Sequence, residues 1–521
     1  MPSSLPNQIK KWWTDPWIKE DNAIEKLKAE QPQILILGSG AGGAFTACTL
    51  AEAGADVVVV EQGYHYAYYN APKNLAVAVS ELYEEGGFRT AMGSPPCPVA
   101  GGKGLGGSTL INSAICFKTP QSTLDHWNDL SGNRFKNKSY FYSVQEKVNT
   151  VMRVSPTPDY LLSGNDKAHR RAAKKLGWAE GVIHRNTPGC GGCGRCNTLC
   201  SIEGKNSVDK ELLPRAAAAG ARIYSGTCVV AIKELIDGVE VTLIVRNPNR
   251  TLEEKITLKA DKIICCMGSI GTPQLLLESQ VAPKNKHIGK GLHLHPVINT
   301  WAILKEPIYA LGATQGHFVD QFAQDRVLLE SNPIIAGAFF QSFPVYGSQA
   351  KTLMTKGAYM ASTGALIRDT SEGQVGPRKN GMASIQYDIN NTDRKRLIKG
   401  LHYGAQLWLE GHDAEAIASS VFGAPMCYSM NDVYNAVPED LEAERLIPYS
   451  SHPQASCRIG RALDDTGLLM GSKSIYVMDA SALPSNVGRN PQISIMTVCR
   501  ILSRELAESM GYVPKNLIAS P

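Results

Sequence analysis

Residues 34–63 read ILILGSGAGGAFTACTLAEAGADVVVVEQG, and the order of residue types here decides the fold. Ile34 to Leu37 form a short apolar run suited to a strand buried on both faces. Gly38, Gly40 and Gly43 follow at the G-x-G-x-x-G spacing. The first glycine serves a tight turn and the second lets backbone approach a pyrophosphate. The third lets helix and strand pack closely. AFTACTLAEAG then reads as a helix ending at Gly54, and ADVVVVEQG as a second strand stopping at Glu61. An acid in that place holds ribose hydroxyls, while the helix N-terminus faces phosphate charge. This is a dinucleotide site in an α/β, Rossmann-like fold. An acid at 61 disfavours the NADP phosphate and leaves NAD and FAD open.

A second glycine-rich run, AGGKGLGGSTLINSAICFKTP at 100–120, decides for FAD. Its glycines, Gly106 and Gly107 among them, allow backbone to lie flat against a large planar ligand. Ser108 and Asn112 offer short polar contacts. Taken alone, the run also reads as a flexible loop.

The 521 residues exceed one compact core, so two or more domains are expected. Residues 1–30 form a polar arm with Trp12, Trp13 and Trp17, which packs back on the body or docks a partner or membrane face. Residues 31–125, 205–300 and 450–521 read as a discontinuous FAD-binding domain, and 126–204 as a connecting region. Residues 301–449 read as a substrate domain on a sheet. With 53 basic and 48 acidic residues scattered without a block, nucleic acid is a poor partner. No 18-residue apolar run exists, so no spanning helix is expected. No signal peptide is visible, and the cytoplasm is the default.

Of the 13 cysteines, four crowd into CGGCGRCNTLC: Cys190, Cys193, Cys196 and Cys200, spaced C-x2-C-x2-C-x3-C. Such a loop can wrap an iron–sulfur cluster, [3Fe–4S] through three thiolates or [4Fe–4S] through four. Zinc or two disulfides remain open, although no second knuckle lies nearby for zinc. Cys265 and Cys266 lie on an apolar strand and read as core.

These segments, together with IICCMGSIGTPQLLLESQV, GKGLHLHP at 289–296 and the tail SHPQASCRIG…YVMDASALPSNVGRNPQISI, resemble the glucose–methanol–choline (GMC) flavoprotein oxidoreductases. The resemblance implies an FAD domain plus an antiparallel-sheet substrate domain, with the active site where they meet. It implies His452 and Asn490 as the catalytic pair. His452 would take the hydroxyl proton as the carbinol hydride leaves for the flavin, and Asn490 would orient the substrate. Asp479, Ala480, Gln492 and the strand at Val229 and Val230 would contact FAD. Ile111 stands where some members tether FAD through histidine, so non-covalent FAD is expected. In the tail, Ala455 and Ser456 replace the usual Gly-Thr, and Ile459 a methionine. His293 and His295 resemble a metal pair but sit in a segment that needs no metal.

Two branches of the family carry cysteines here: large subunits of sugar dehydrogenases, which hold a cluster, and long-chain or bulky alcohol oxidases. The favoured expectation is a dehydrogenase of an alcohol or sugar hydroxyl, exporting electrons through the cluster to a redox partner. That partner is a small subunit, a cytochrome-type acceptor, or both. A signal-bearing subunit would carry the chain to the periplasm. The alternatives are a cluster-free oxidase of bulky, long-chain or steroid-like alcohols, and a lyase or photoenzyme on the same fold.

Overall fold

The computed structural model describes residues 23–516 apart from 67–71, 73, 248–252, 310, 333–346, 348–349 and 352–354. Trp12, Trp13 and Trp17 lie outside the described residues.

The quoted stretch folds as its residue types dictate. Strand Ile34–Leu37 pairs in parallel with Val57–Val60 on one side and with Lys262–Cys265 on the other. Strands Ile475–Val477 and Arg222–Tyr224 close the two edges, so the sheet has five parallel strands. All four residues of the two glycine-flanking strands are buried, as a sheet covered on both faces requires. Helix Ala41–Ala53 lies between those strands in sequence and ends on Gly54 in the left-handed region. Gly38 has φ +101°, and a Cβ there would stand 2.6 Å from the Cys266 carbonyl oxygen. The turn therefore admits only glycine.

After this sheet's edge strand the chain runs through an antiparallel meander, Thr227–Leu235, Gly238–Arg246 and Glu253–Ala260. The substrate layer is a six-stranded antiparallel sheet. Its order is Ala416–Ser419, Val297–Ile303, Met360–Ile367, Val327–Ser331, His317–Val319 and Glu180–Val182. Helix Asn391–Gln406 covers one face with Leu397, Ile398 and Leu401, started by Asn390, whose side chain accepts the Asp393 amide at 2.9 Å. Separate apolar cores surround the two sheets. The fold is α/β, a parallel dinucleotide-type sheet joined to an antiparallel substrate sheet. No helix among the described residues is long and apolar enough to cross a membrane.

Candidate active site

Two adjoining cavities lie between the sheets. The larger, about 1320 Å³, is lined by Gly38, Gly40, Glu61, Gly107 and Ser108, and by Gly268, Asp479 and Ala480. That exceeds the pockets that hold drug-sized ligands and has room for a dinucleotide. The fit to FAD rests on two features of the wall. Helix Ala41–Ala53 has no side-chain cap at Gly40, so its first amides are left for a ligand. A Cβ on Gly40 would meet nothing nearer than 3.9 Å, so this backbone fronts open space.

Glu61 is buried beside this wall. Its carboxylate accepts the Ser39 amide at 3.0 Å and hydroxyl at 2.8 Å, and the Gly63 and Gly104 amides at 3.0 and 3.3 Å. Burial pushes its carboxyl up, and the Gly63 and Ser39 amides oppose that. Asp479 is similarly committed: it accepts from the Gly268 amide and the Thr272 hydroxyl, and from Ser481. It thereby ties the N-terminus of helix Gly268–Glu278 to the cavity wall.

Three residues expected at the cofactor line neither cavity. Gly106 is off both cavity walls; its amide donates to the Ser39 hydroxyl at 3.1 Å, and it starts a short helical turn. Val230 is also off the wall, which Cys228 and Val229 line instead. The cause is a β-bulge: Val229 pairs with Leu243 and Ala231 with Thr242, leaving Val230 without a cross-strand partner. Gly43 meets no cavity either, because it is spent on helix–strand packing.

The smaller cavity, about 330 Å³, shares Ser108, Met267, Gly268 and Ala480 with the larger one. Its walls are mostly apolar, with Ile111, Ile115, Ile270, Val297, Leu366 and Tyr449. One pole is polar. His452 enters from the loop after Tyr449, its amide bonded to the Ser450 hydroxyl at 3.2 Å. Asn490 and Gln492 enter where the C-terminal helix Gln492–Ser509 begins. Asn490 Nδ2 lies 3.5 Å from His452 Nε2 and 3.5 Å from a Glu330 carboxylate oxygen, and Asn490 Oδ1 is buried without a partner. Gln492 accepts from the Asn112 amide group and donates to Cys116 and Asn186. The structure thus brings together Asn112, His452, and Asn490 with Gln492, from three distant stretches.

Two further residues belong to this pole. His295 Nδ1 faces His452 Nδ1 at 3.2 Å, so one member of the His293–His295 pair, for which no metal was expected, touches the site. Burial holds His295 down to about 4, and burial with His295 alongside holds His452 well below the ordinary histidine range. Both imidazoles are therefore neutral at pH 7. Glu330 stands on the central strand Val327–Ser331, accepting from Gln315 at 3.3 Å. Burial pushes its carboxyl up to about 7, against the pull of Asn490 and Arg489. The sequence signal for Glu330 was slight: one acid in the apolar run VLLES.

The cysteine loop leans on the same cavity. Arg185 Nη2 donates to the Cys196 thiol at 3.0 Å. Lys205 Nζ donates to the carbonyls of Leu110 and Asn112, at 2.7 and 3.0 Å, and of Cys196 at 3.0 Å. Both cations are buried. Burial raises the Cys196 thiol, but Arg185 and Lys205 outweigh it and hold it below its ordinary value. All four thiols are free. Among the described residues no three His, Cys, Asp or Glu side chains are placed to hold a metal ion. The expected ligands Cys190, Cys193, Cys196 and Cys200 are thus not gathered into a shell. Cys196 instead turns to Arg185, and Cys190 and Cys193 stay half-buried. The loop braces the 110–113 backbone that walls the cavity.

Two family models described as GMC oxidoreductase match residues 79–297 and 369–499. An uncharacterised GMC-type oxidoreductase of Mycobacterium tuberculosis is 31% identical over 505 residues, covering 93% of this chain and 78% of that one. A long-chain-alcohol oxidase of Arabidopsis thaliana is 27% identical, covering 91% of this chain and 67% of its own. The crystal structure of pyridoxine 4-oxidase from Mesorbium loti superposes with a TM-score of 0.69 at 18% identity, covering 92% of this chain and 99% of that one.

Proposed function

The chain belongs to the GMC oxidoreductase family and is an FAD-dependent enzyme acting on CH–OH donors, and from that premise we propose that it oxidises a bulky or long-chain apolar alcohol with oxygen as electron acceptor. The observation that carries the substrate reading is the smaller cavity, whose exposed surface is more apolar than polar around the cluster of His452, Asn490 and Glu330. The likeness to a long-chain-alcohol oxidase over nine-tenths of the chain supports the same reading.

FAD, when bound, supplies a hydride acceptor and hands the electrons on. The larger cavity would hold it, and Ile111, on the wall of the smaller cavity, offers no nucleophile for a covalent tether. The chain's own residues do the rest. His452 accepts the hydroxyl proton at Nε2, which requires that its Nδ1–H donate to His295 Nδ1. His295 thus selects the tautomer of the base. Asn490 donates to the substrate oxygen as negative charge grows there. The apolar wall excludes water from the reacting carbon.

Glu330 supplies a negative charge to the pole above about pH 7 and none below it. That charge favours the proton arriving on His452, so the rate of flavin reduction is expected to fall as pH drops through about 7. In Glu330→Gln this step should vanish and the rate at pH 8 should drop roughly tenfold, the worth of about one pKa unit of interaction. A step near pH 7 that survives in the variant would exclude Glu330 as its source.

The overall reading is tested with purified holoenzyme. A series of straight-chain alcohols, a sterol and sugars is scored for anaerobic bleaching of the flavin bands, then for peroxide formed in air, with iron measured alongside. Long-chain alcohols or the sterol should bleach the flavin and yield peroxide. Three or four irons per chain, with no peroxide, would replace oxygen by a protein acceptor reached through Cys190, Cys193, Cys196 and Cys200. Bleaching by sugars alone would overturn the substrate class.

A further inference from the structure

Beside the apolar cluster that includes Leu328, Leu366 and Phe117, three arginines lie near one another: Arg326 and Arg368 at the ends of two paired strands, and Arg489 in the loop that carries Asn490. Arg326 immediately precedes strand Val327–Ser331 and Arg368 immediately follows strand Met360–Ile367. The Arg368 amide donates to the Arg326 carbonyl at 3.0 Å, which sets the two residues side by side. The Arg368 side chain then lies across Gly488: a Cβ there would fall 2.7 Å from its Cδ. Arg489, the next residue, reaches Asp320 and stands 6.0 Å over the Phe117 ring.

The positive charge here is poorly balanced. Arg489 has Asp320. Among the described residues, the Arg326 and Arg368 guanidiniums make no hydrogen bond or ion pair. The neighbouring carboxylates are taken: Asp325 by Lys399 and Tyr403, Asp393 by Arg396 and Ser371, Asp369 by Tyr387 and Asn486. His126 adds a further basic group from the facing helix Gln121–Leu130, lowered by burial and by Arg368 and Arg326. Burial with Arg326 and Arg489 alongside depresses Arg368 itself to about 10. Like charges held this close with a single ion pair among the three cost free energy that an anion would recover, and planar guanidinium forks match a carboxylate or phosphate.

We propose that Arg326, Arg368 and Arg489 form an oxyanion-binding site, separate from the cavity in which the alcohol reacts. The ligand is a phosphate or carboxylate group, on a small soluble molecule or on a lipid headgroup. Bound there, it would fasten the Gly488–Asn490 segment from behind.

The full-length holoenzyme is titrated calorimetrically with inorganic phosphate and with succinate at constant ionic strength. In parallel it is sedimented with phosphatidylcholine vesicles with and without phosphatidic acid. Saturable binding of a free oxyanion, weakened at least tenfold in both Arg368→Gln and the exposed Arg326→Gln, would support a soluble ligand. Binding only to phosphatidic acid vesicles, lost in the same variants, would support a headgroup. No saturable binding in either arm, or binding that both variants retain, overturns the site. Arg326→Gln changes an exposed residue, so it keeps the test valid should Arg368→Gln fail to fold. None of these readouts depends on which alcohol is oxidised.

Discussion

His452→Ala is expected to slow anaerobic reduction of the flavin by substrate about 10²–10⁴-fold, the range for loss of a positioned general base, while FAD content and the melting temperature stay near those of the parent. The argument is geometric first. His452 Nε2 is 3.5 Å from Asn490 Nδ2, and both line the polar pole of an apolar cavity. Its imidazole is neutral because burial and His295 depress it well below 6.5, so a proton-accepting lone pair is present throughout the neutral range. Acid should therefore not switch this base off until well below pH 6.5. The variant keeps the Asn490 donor, so some catalysis should survive. Stopped-flow reduction at saturating alcohol reads this directly, and a rate within fivefold of the parent would exclude His452 as the base. His295→Ala separates the base from its support. If His295 sets the tautomer, that variant should also slow reduction, and His295→Gln, which keeps an acceptor, should restore part of the rate.

How far these residues could be read without coordinates depends on how local their chemistry is. Gly38, Gly40, Gly43 and Glu61 stand within one strand–turn–helix–strand unit, and every constraint on them acts over a few residues. The parallel sheet, its turn and the acid at the second strand's end were therefore legible. Gly107 does line the larger cavity, but Gly107–Leu110 coils into a short helical turn instead of lying flat. His452 and Asn490 were legible only through the resemblance of their flanking motifs, since a lone histidine in a loop carries no chemical address. Glu330 and His295 were not legible as site residues, because what makes them special is what surrounds them. The Glu330 carboxyl is raised to about 7 by residues far away in the chain, and one acid in VLLES does not announce that. Val230 came from the resemblance alone, and a bulge at that residue, which a transferred motif does not reveal, leaves Val229 rather than Val230 on the cavity wall. The cysteine run shows the limit of spacing. Four thiols in eleven residues establish the capacity to surround a metal. Where each thiol points depends on backbone such as Leu199, at φ +72°, and on two buried cations from outside the run.

Gly43→Ala and Gly40→Ala should fail in different ways, and the difference tests what each glycine does. An alanine Cβ at 43 would stand 2.0 Å from the Gly38 carbonyl oxygen and 3.1 Å from the Cys266 Cβ, in a wall of backbone that cannot yield. Helix Ala41–Ala53 would have to lift from its strand. The overpacking cost is about 1–3 kcal/mol or more, so Gly43→Ala should melt earlier even as apoprotein and be purified largely without flavin. At 40 the nearest atom to a new Cβ is the Gly107 Cα at 3.9 Å, so the fold has room. That Cβ instead enters the space in front of the uncapped helix amides, where the pyrophosphate would lie. Gly40→Ala should therefore keep the parent's apoprotein melting temperature and yet bind FAD at least tenfold more weakly, read by flavin fluorescence on titration into apoprotein. Equal loss of apoprotein stability in both variants would mean that position 40 also serves packing. Undiminished FAD affinity in Gly40→Ala would mean that the pyrophosphate does not approach the chain there, and the larger cavity would need a different orientation of its cofactor.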